Sequence, residues 1–229
     1  MNKTKKIVIF GDREFAEIAY EYFTHDSSYE VVAFTVENDF LTKNTVCGLP
    51  VVPFENITSL YPPTEVSLYI AIVYDKLNRT REKFFNAGKE KGYKLASYVS
   101  SRSFLWHNVK VGENCFIFED NTIQPFVEIK DNVVLWSGNH IGHGSTIHPN
   151  CFISSHVVIS GACQIGSNCF LGVNSTIGNH VSIGKNSWVS SGAIITRDVP
   201  DGSLVKSAQS AVTVLNEGIL FRKLASVQN

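Results

Sequence analysis

The sequence predicts two joined domains, a small Rossmann-like α/β domain followed by a parallel β-helix with a C-terminal helix. Three observations predict it. An Ile, Leu or Val stands at every sixth position from Leu105 to Ile195, sixteen times without exception. Four places after many of these aliphatics comes a small residue: Cys115, Ser145, Cys151, Cys163, Cys169, Ser175, Ser187 or Ala193. Ahead of the repeat, the first 98 residues alternate strand-like and helix-like segments, the pattern of a parallel sheet. A period of six fits neither the 3.6 of a helix nor the 2 of a strand, but it fits short flat strands joined by tight corners.

Taken in order, residues 6–11 (Lys-Ile-Val-Ile-Phe-Gly) read as a buried strand ending in glycine. Residues 13–23 follow with helical spacing of Phe15, Ala19, Tyr22 and Phe23. Residues 30–36 and 68–73 are further strands, and 78–91 is a polar-faced helix. Residues 1–98 form the first domain on this reading, with ligands expected at the carboxyl ends of its strands. Residues 99–210 form the β-helix, in which three hexads close a coil of about eighteen residues and the run makes about five to six coils. Gly112, Gly142, Gly166, Gly172, Gly178 and Gly184 directly follow the aliphatics, where a corner is tight. The repeat fades through Asp198-Val-Pro-Asp-Gly, and residues 211–229 are read as a helical cap, with helical spacing over 211–224 covering an open end of the prism.

The chain has 229 residues, 44% hydrophobic composition and a formal net charge of −1, enough for two modest cores. Without a Lys/Arg cluster, neither nucleic acid nor an anionic membrane surface is expected as partner. No stretch approaches twenty apolar residues, so no membrane span is expected. Four of the five cysteines fill the small inward slot and no Cys-x-x-Cys pair exists, which points to core packing in a reducing, cytoplasmic setting. No catalytic metal is expected either, because residues 132–197 contain no Asp or Glu to complete a ligand set with the histidines.

Chemistry concentrates in Ser137-Gly-Asn-His-Ile-Gly-His-Gly-Ser-Thr-Ile. His143 comes two places after the inward Ile141, at a corner of the prism facing a groove, and imidazole is the usual base for a hydroxyl or amine proton near neutral pH. His140 reads as a surface residue or a substrate contact. One coil on from His143, about 4.8 Å along the stack, comes Gly161, which either leaves room for an incoming group and offers its N–H to an oxyanion or simply permits a turn. In the first domain, Gly11 and Arg13 after the first strand, Thr35 at the end of the second and Asn78 after the 68–73 strand are the candidate acceptor contacts. Arg13 suits a phosphate, and Asn78 is alternatively a helix cap. The full Gly-x-Gly-x-x-Gly pattern is missing, with Arg13 and Ala16 in its place, so a dinucleotide redox cofactor is disfavoured.

On these motifs the chain resembles the hexapeptide-repeat sugar O-/N-acetyltransferases, of the sialic acid O-acetyltransferase and nucleotide-amino-sugar N-acetyltransferase type. The resemblance implies a left-handed β-helix, a homotrimer, and transfer of acetyl from acetyl-CoA to a nucleotide-linked sugar or amino sugar in bacterial surface glycan assembly. It implies that His143 deprotonates the acceptor in an inter-subunit groove and that Gly161 faces the thioester, with no covalent enzyme intermediate. Asn179, Arg197 and Lys206 are the further coenzyme contacts on this reading. Gly142 and Gly144 flank His143 where the family often has an acidic neighbour, leaving Asn139 or a backbone carbonyl to orient it. A second family histidine is Phe152 here, and Lys206-Ser-Ala-Gln-Ser replaces the usual stretch after the last coil. These departures keep open an inactive trimeric scaffold that binds a nucleotide sugar.

Overall fold

The computed structural model describes residues 2–209 and Ile219; apart from that one residue, the expected C-terminal helix lies outside them. The first domain is built on β1 (Lys5–Phe10), α1 (Glu14–His25), β2 (Tyr29–Val36), β3 (Thr45–Val46), β4 (Leu49–Pro53), α2 (Ile57–Leu60), β5 (Val66–Ile70) and α3 (Arg79–Glu90). The sheet runs in the order β3-β4-β2-β1-β5, parallel except for the short β3·β4 hairpin. The buried Ile7-Val-Ile-Phe of β1 lies inside the sheet, between β2 and β5. The strand expected over 68–73 instead begins at Val66 and ends at Ile70, so Ile72 and Val73 belong to the loop after it.

Eighteen two-residue strands follow, from β6 (Tyr98–Val99) to β23 (Leu204–Val205), and form three parallel sheets around a prism. From β6 to β19 (Thr176–Ile177) each strand pairs with the one eighteen residues later, as in Thr122↔His140 and His140↔Val158. The sixth-position aliphatics from Ile117 to Ile195 all point inward and are at most 4% exposed. At several of the small inward slots the side chain also donates a hydrogen bond. Ser145 Oγ donates to Ser160 O at 2.9 Å, Cys151 Sγ to Gly166 O at 3.1 Å and Cys163 Sγ to Gly178 O at 3.0 Å, each to a carbonyl fifteen residues on. Serine and cysteine serve alike in these three, both being small donors that reach a carbonyl of the coil. Burial pushes the Cys115 thiol up to about 12, so it is no nucleophile.

The three faces differ in their outward residues. One carries Lys110, Glu128, Thr146, Gln164 and Ser182 and meets solvent. Another carries Tyr98, Phe116, Val134, Phe152, Phe170 and Trp188, and on it the first domain packs. Phe15 and Phe23 of α1 stand 5.8 and 5.9 Å from Phe116, ring to ring. At one edge of this face Asn114, Asn132 and Asn150 form a side-chain ladder with 2.8 Å bonds, and Asn114 Oδ1 accepts the Ile70 N–H of edge strand β5 at 2.8 Å. The outer edge of β5 is covered by this ladder at Ile70 and by Leu95, which bridges Leu68 in parallel. At the base, burial alone would raise the Asp26 carboxyl, but bonds from Tyr98 Oη at 2.6 Å and Ser101 N at 2.9 Å outweigh it and hold the carboxyl below its usual range.

Candidate active site

The corner between β13 (His140–Ile141) and β14 (Thr146–Ile147) carries His143. Ile141 anchors the turn in the core, and Gly142 N–H bonds Ile159 O at 2.7 Å. A Cβ on Gly142 would come within 2.4 Å of the Ser160 carbonyl carbon, so the next coil excludes any side chain there. Gly144 completes the corner with φ +65°, a left-handed conformation that glycine adopts without strain. The contact at Gly142 explains why no carboxylate precedes His143. Its backbone N–H is held by Gln124 Oε1 at 2.9 Å, and its C=O accepts Ala162 N–H at 2.8 Å. The side chain is exposed, and among the described residues neither ring nitrogen has a hydrogen-bond partner.

The imidazole lies over Gly161. A Cβ built on Gly161 would stand 2.7 Å from His143 Nε2 and 2.8 Å from Cε1. The missing side chain is therefore the space that the ring occupies. Gly161 N–H donates to Asn179 Oδ1 at 2.8 Å, so the amide offered by the sequence reading to an oxyanion is already engaged. His143, Gly161 and Asn179 follow one another at eighteen-residue steps up a single corner, and Arg197, exposed, ends the same series. Beyond Arg197 the spacing between paired positions drops to sixteen, with Val199 bridging Ile183 and Leu204 pairing Trp188. Lys206 leaves β23 at a different corner, after the aromatic face.

Three expected site residues are corrected. Asn139 is 1% exposed and occupies the inward slot. Its Nδ2 donates to Trp136 O at 2.6 Å and its Oδ1 accepts Val157 N–H at 2.8 Å, so it holds the coil and does not orient His143. Thr35 is fully buried, with its hydroxyl donating to Val52 O at 2.9 Å within the sheet. Asn78 is also fully buried. It makes no side-chain cap to α3, and its Nδ2 reaches Cys169 O of the β-helix at 3.2 Å.

The remaining first-domain candidates do line the carboxyl ends of the strands. Gly11 lies so close to Ala71 that a Cβ would stand 2.9 Å from its carbonyl oxygen. Arg13 is exposed just before α1, where its C=O accepts the first-turn amides of Ala16 and Glu17. Lys43 Nζ donates to Asp12 O at 2.8 Å, bringing to this end of the sheet a second cation that the sequence reading missed. His140 projects outward from β13 between Thr122 and Val158, on the third face of the prism. Phe152, where the resemblance implied a histidine, belongs to the interdomain contact, with its ring 5.0 Å from Tyr74. Gln124 and Arg81 were also missed; the eighteen-residue coil places Gln124 below the Gly142–His143 corner and was the available signal for it. Among the described residues no group of three His, Cys, Asp or Glu side chains converges as a metal site, and no helix is long and apolar enough to cross a membrane.

Residues 126–161 match the model of the bacterial transferase hexapeptide (six repeats), and residues 163–197 match that of the hexapeptide repeat of succinyl-transferase. The whole fold is similar to PerB from Caulobacter crescentus, solved in complex with CoA and GDP-perosamine. That likeness has a TM-score of 0.78 and 24% identity over 87% of this chain and 92% of the other. WeeI from Acinetobacter baumannii AYE gives 0.67 and 21% over 89% and 97%. The acetyltransferase domain of PglB from Neisseria gonorrhoeae FA1090 gives 0.63 and 18% over 88% and 96%. No curated protein sequence matches the chain.

Proposed function

We propose that the protein is an acetyl-CoA-dependent acetyltransferase acting on a nucleotide-linked amino sugar, with His143 as general base. The observation that carries this reading is the imidazole propped over Gly161 at an exposed corner, with neither ring nitrogen engaged by the protein, so the unprotonated one is free to take up a proton. The acceptor nitrogen attacks the thioester carbonyl while its proton passes to His143. The tetrahedral intermediate then collapses, the C–S bond breaks, and the leaving CoA thiolate takes the proton back. Asn179 supports this geometry by fixing Gly161, and Arg197 at the head of the column suits the coenzyme's phosphates. Gly11, Arg13 and Lys43 frame the nucleotide subsite at the carboxyl ends of β1 and its neighbours. GDP-perosamine bound to the Caulobacter protein of like fold supports an amine as the acceptor group.

The active form is a cytoplasmic homotrimer in this reading. A lone prism leaves Phe104, Val158 and Ile194 exposed on the face that carries His140, Ile194 to 76%, and Phe126 exposed to 71% beside the His143 corner. Further copies of the chain would cover this apolar strip and close the cleft over the base.

Thiol release from acetyl-CoA, measured with GDP-perosamine, a UDP-linked 4-amino sugar and sialic acid as acceptors, tests the activity. The expected result is acceptor-dependent release matched by an N-acetylated product with an amino sugar. Release with sialic acid alone would assign O-acetylation, and no acceptor-dependent release with any of the three would refute the proposal.

A further inference from the structure

Arg81, on the inner side of α3, is fully buried without a carboxylate partner. Its Nη1 donates to Ile72 O at 3.2 Å in its own domain, and its Nη2 to Asn132 O at 3.1 Å and Cys151 O at 3.0 Å in successive coils. Its Nε has no partner, and burial pulls the guanidinium down to about 10. A buried unpaired cation is costly, and the bonds that compensate this one all run to backbone carbonyls on the two sides of the domain junction.

The segment that these bonds tie down is the loop between β5 and α3. Lys76, Leu77 and Asn78 have φ of +48°, +52° and +63°, three consecutive non-glycine residues in the left-handed region. Such a conformation persists only where its surroundings fix it, and it marks segments shaped for a task. Here three ties fix it: Arg81 on Ile72 at the start, Tyr74 packed 5.0 and 4.9 Å from Phe152 and Phe170, and Asn78 on Cys169 O at the end. Between them Tyr74, Asp75 and Lys76 are exposed. The loop begins beside Gly11, since Ala71 N–H bonds Phe10 O at 2.8 Å.

We propose that Arg81 is a positioning residue for the acceptor: it holds the β5–α3 loop at a fixed height on the coils, so that an acceptor held at Gly11 and this loop meets the catalytic corner in register. The inference rests on the function proposed above, and its test is built to separate the two. Arg81→Met keeps the stem and removes the donors, whereas Arg81→Lys keeps the charge and one donor group. With GDP-perosamine as acceptor, Arg81→Met should raise the acceptor KM at least about tenfold. The acetyl-CoA KM and kcat should stay within about twofold, and Arg81→Lys should recover part of the loss. An unchanged acceptor KM, or equal losses in every kinetic parameter, overturns the proposal. Hydrogen exchange reports independently of activity: amides 73–78 should open in both variants while those of the coils stay protected. Unchanged loop exchange, or coils opening with the loop, overturns it even if the wild-type protein acetylates nothing. Should Arg81→Met fail to fold, the exchange pattern of Arg81→Lys decides.

Discussion

Replacing His143 by Asn or Ala will lower kcat for acetyl transfer by at least about a hundredfold, the scale of a positioned general base. The protein should remain folded with its KM for acetyl-CoA close to wild type. Both outcomes follow from the corner. The side chain is exposed and its ring makes no hydrogen bond within the protein, so no buried contact is lost with it. What holds the corner is backbone: the 2.9 Å bond from His143 N–H to Gln124 and the 2.8 Å bond from Ala162 N–H to His143 O survive any side-chain change. Stopped assays of thiol release and product mass, run beside a thermal unfolding curve, check the prediction. Full turnover in either variant would remove the base assignment.

Gly161→Ala should cost turnover almost as heavily without touching the base itself. Its new Cβ would come 2.7 Å from Nε2 and 2.8 Å from Cε1 of His143, inside any real contact. Gly161 is not among the positive-φ residues, so alanine fits its backbone and the imidazole is what yields. A ring turned aside by about an ångström no longer meets the acceptor proton, and misplacement on that scale costs about a hundredfold. We expect kcat to fall by roughly that factor with an unfolding midpoint near wild type. Gly142 is the contrast, because its Cβ would strike the Ser160 backbone, which cannot rotate away. If Gly161→Ala turned over within about twofold of wild type, the propped ring would not be the reactive conformer.

Much of this architecture could be read before any coordinates, because a six-residue period imposes one geometry over many turns. Ile117 through Ile195 reach the core where the period puts them. The same register gave Gly161 one coil beyond His143, and Asn179 and Arg197 stand at the next two eighteen-residue steps of that corner. Asn139 stands two places before Ile141, the slot that Cys and Ser fill elsewhere, so its inward direction was legible as well. Thr35 and Asn78 show a different limit. The carboxyl end of a parallel strand is where ligands approach, but that rule places backbone, and the side chains of both residues turn into the protein. Arg81 was hidden because an arginine in a polar-faced helix reads as solvated, and only the docked β-helix makes it buried. The docking face itself was present in the sequence, since Phe116, Phe152, Phe170 and Trp188 recur at eighteen-residue multiples just before the inward aliphatics. The β3·β4 hairpin was missed because its strands are short and β4 contains two prolines.

The central claim is that a coil-corner imidazole, brought into a cleft between protomers, takes the acceptor's proton. A crystal structure with CoA and GDP-perosamine measures this most directly. The account predicts the sugar's amine nitrogen about 2.6–3.2 Å from a ring nitrogen of His143, with the CoA sulfur on the far side of that nitrogen and a second protomer walling the cleft. An amine lying beyond reach of His143, or a nucleotide sugar seated away from the β1 and β5 carboxyl ends, would contradict it.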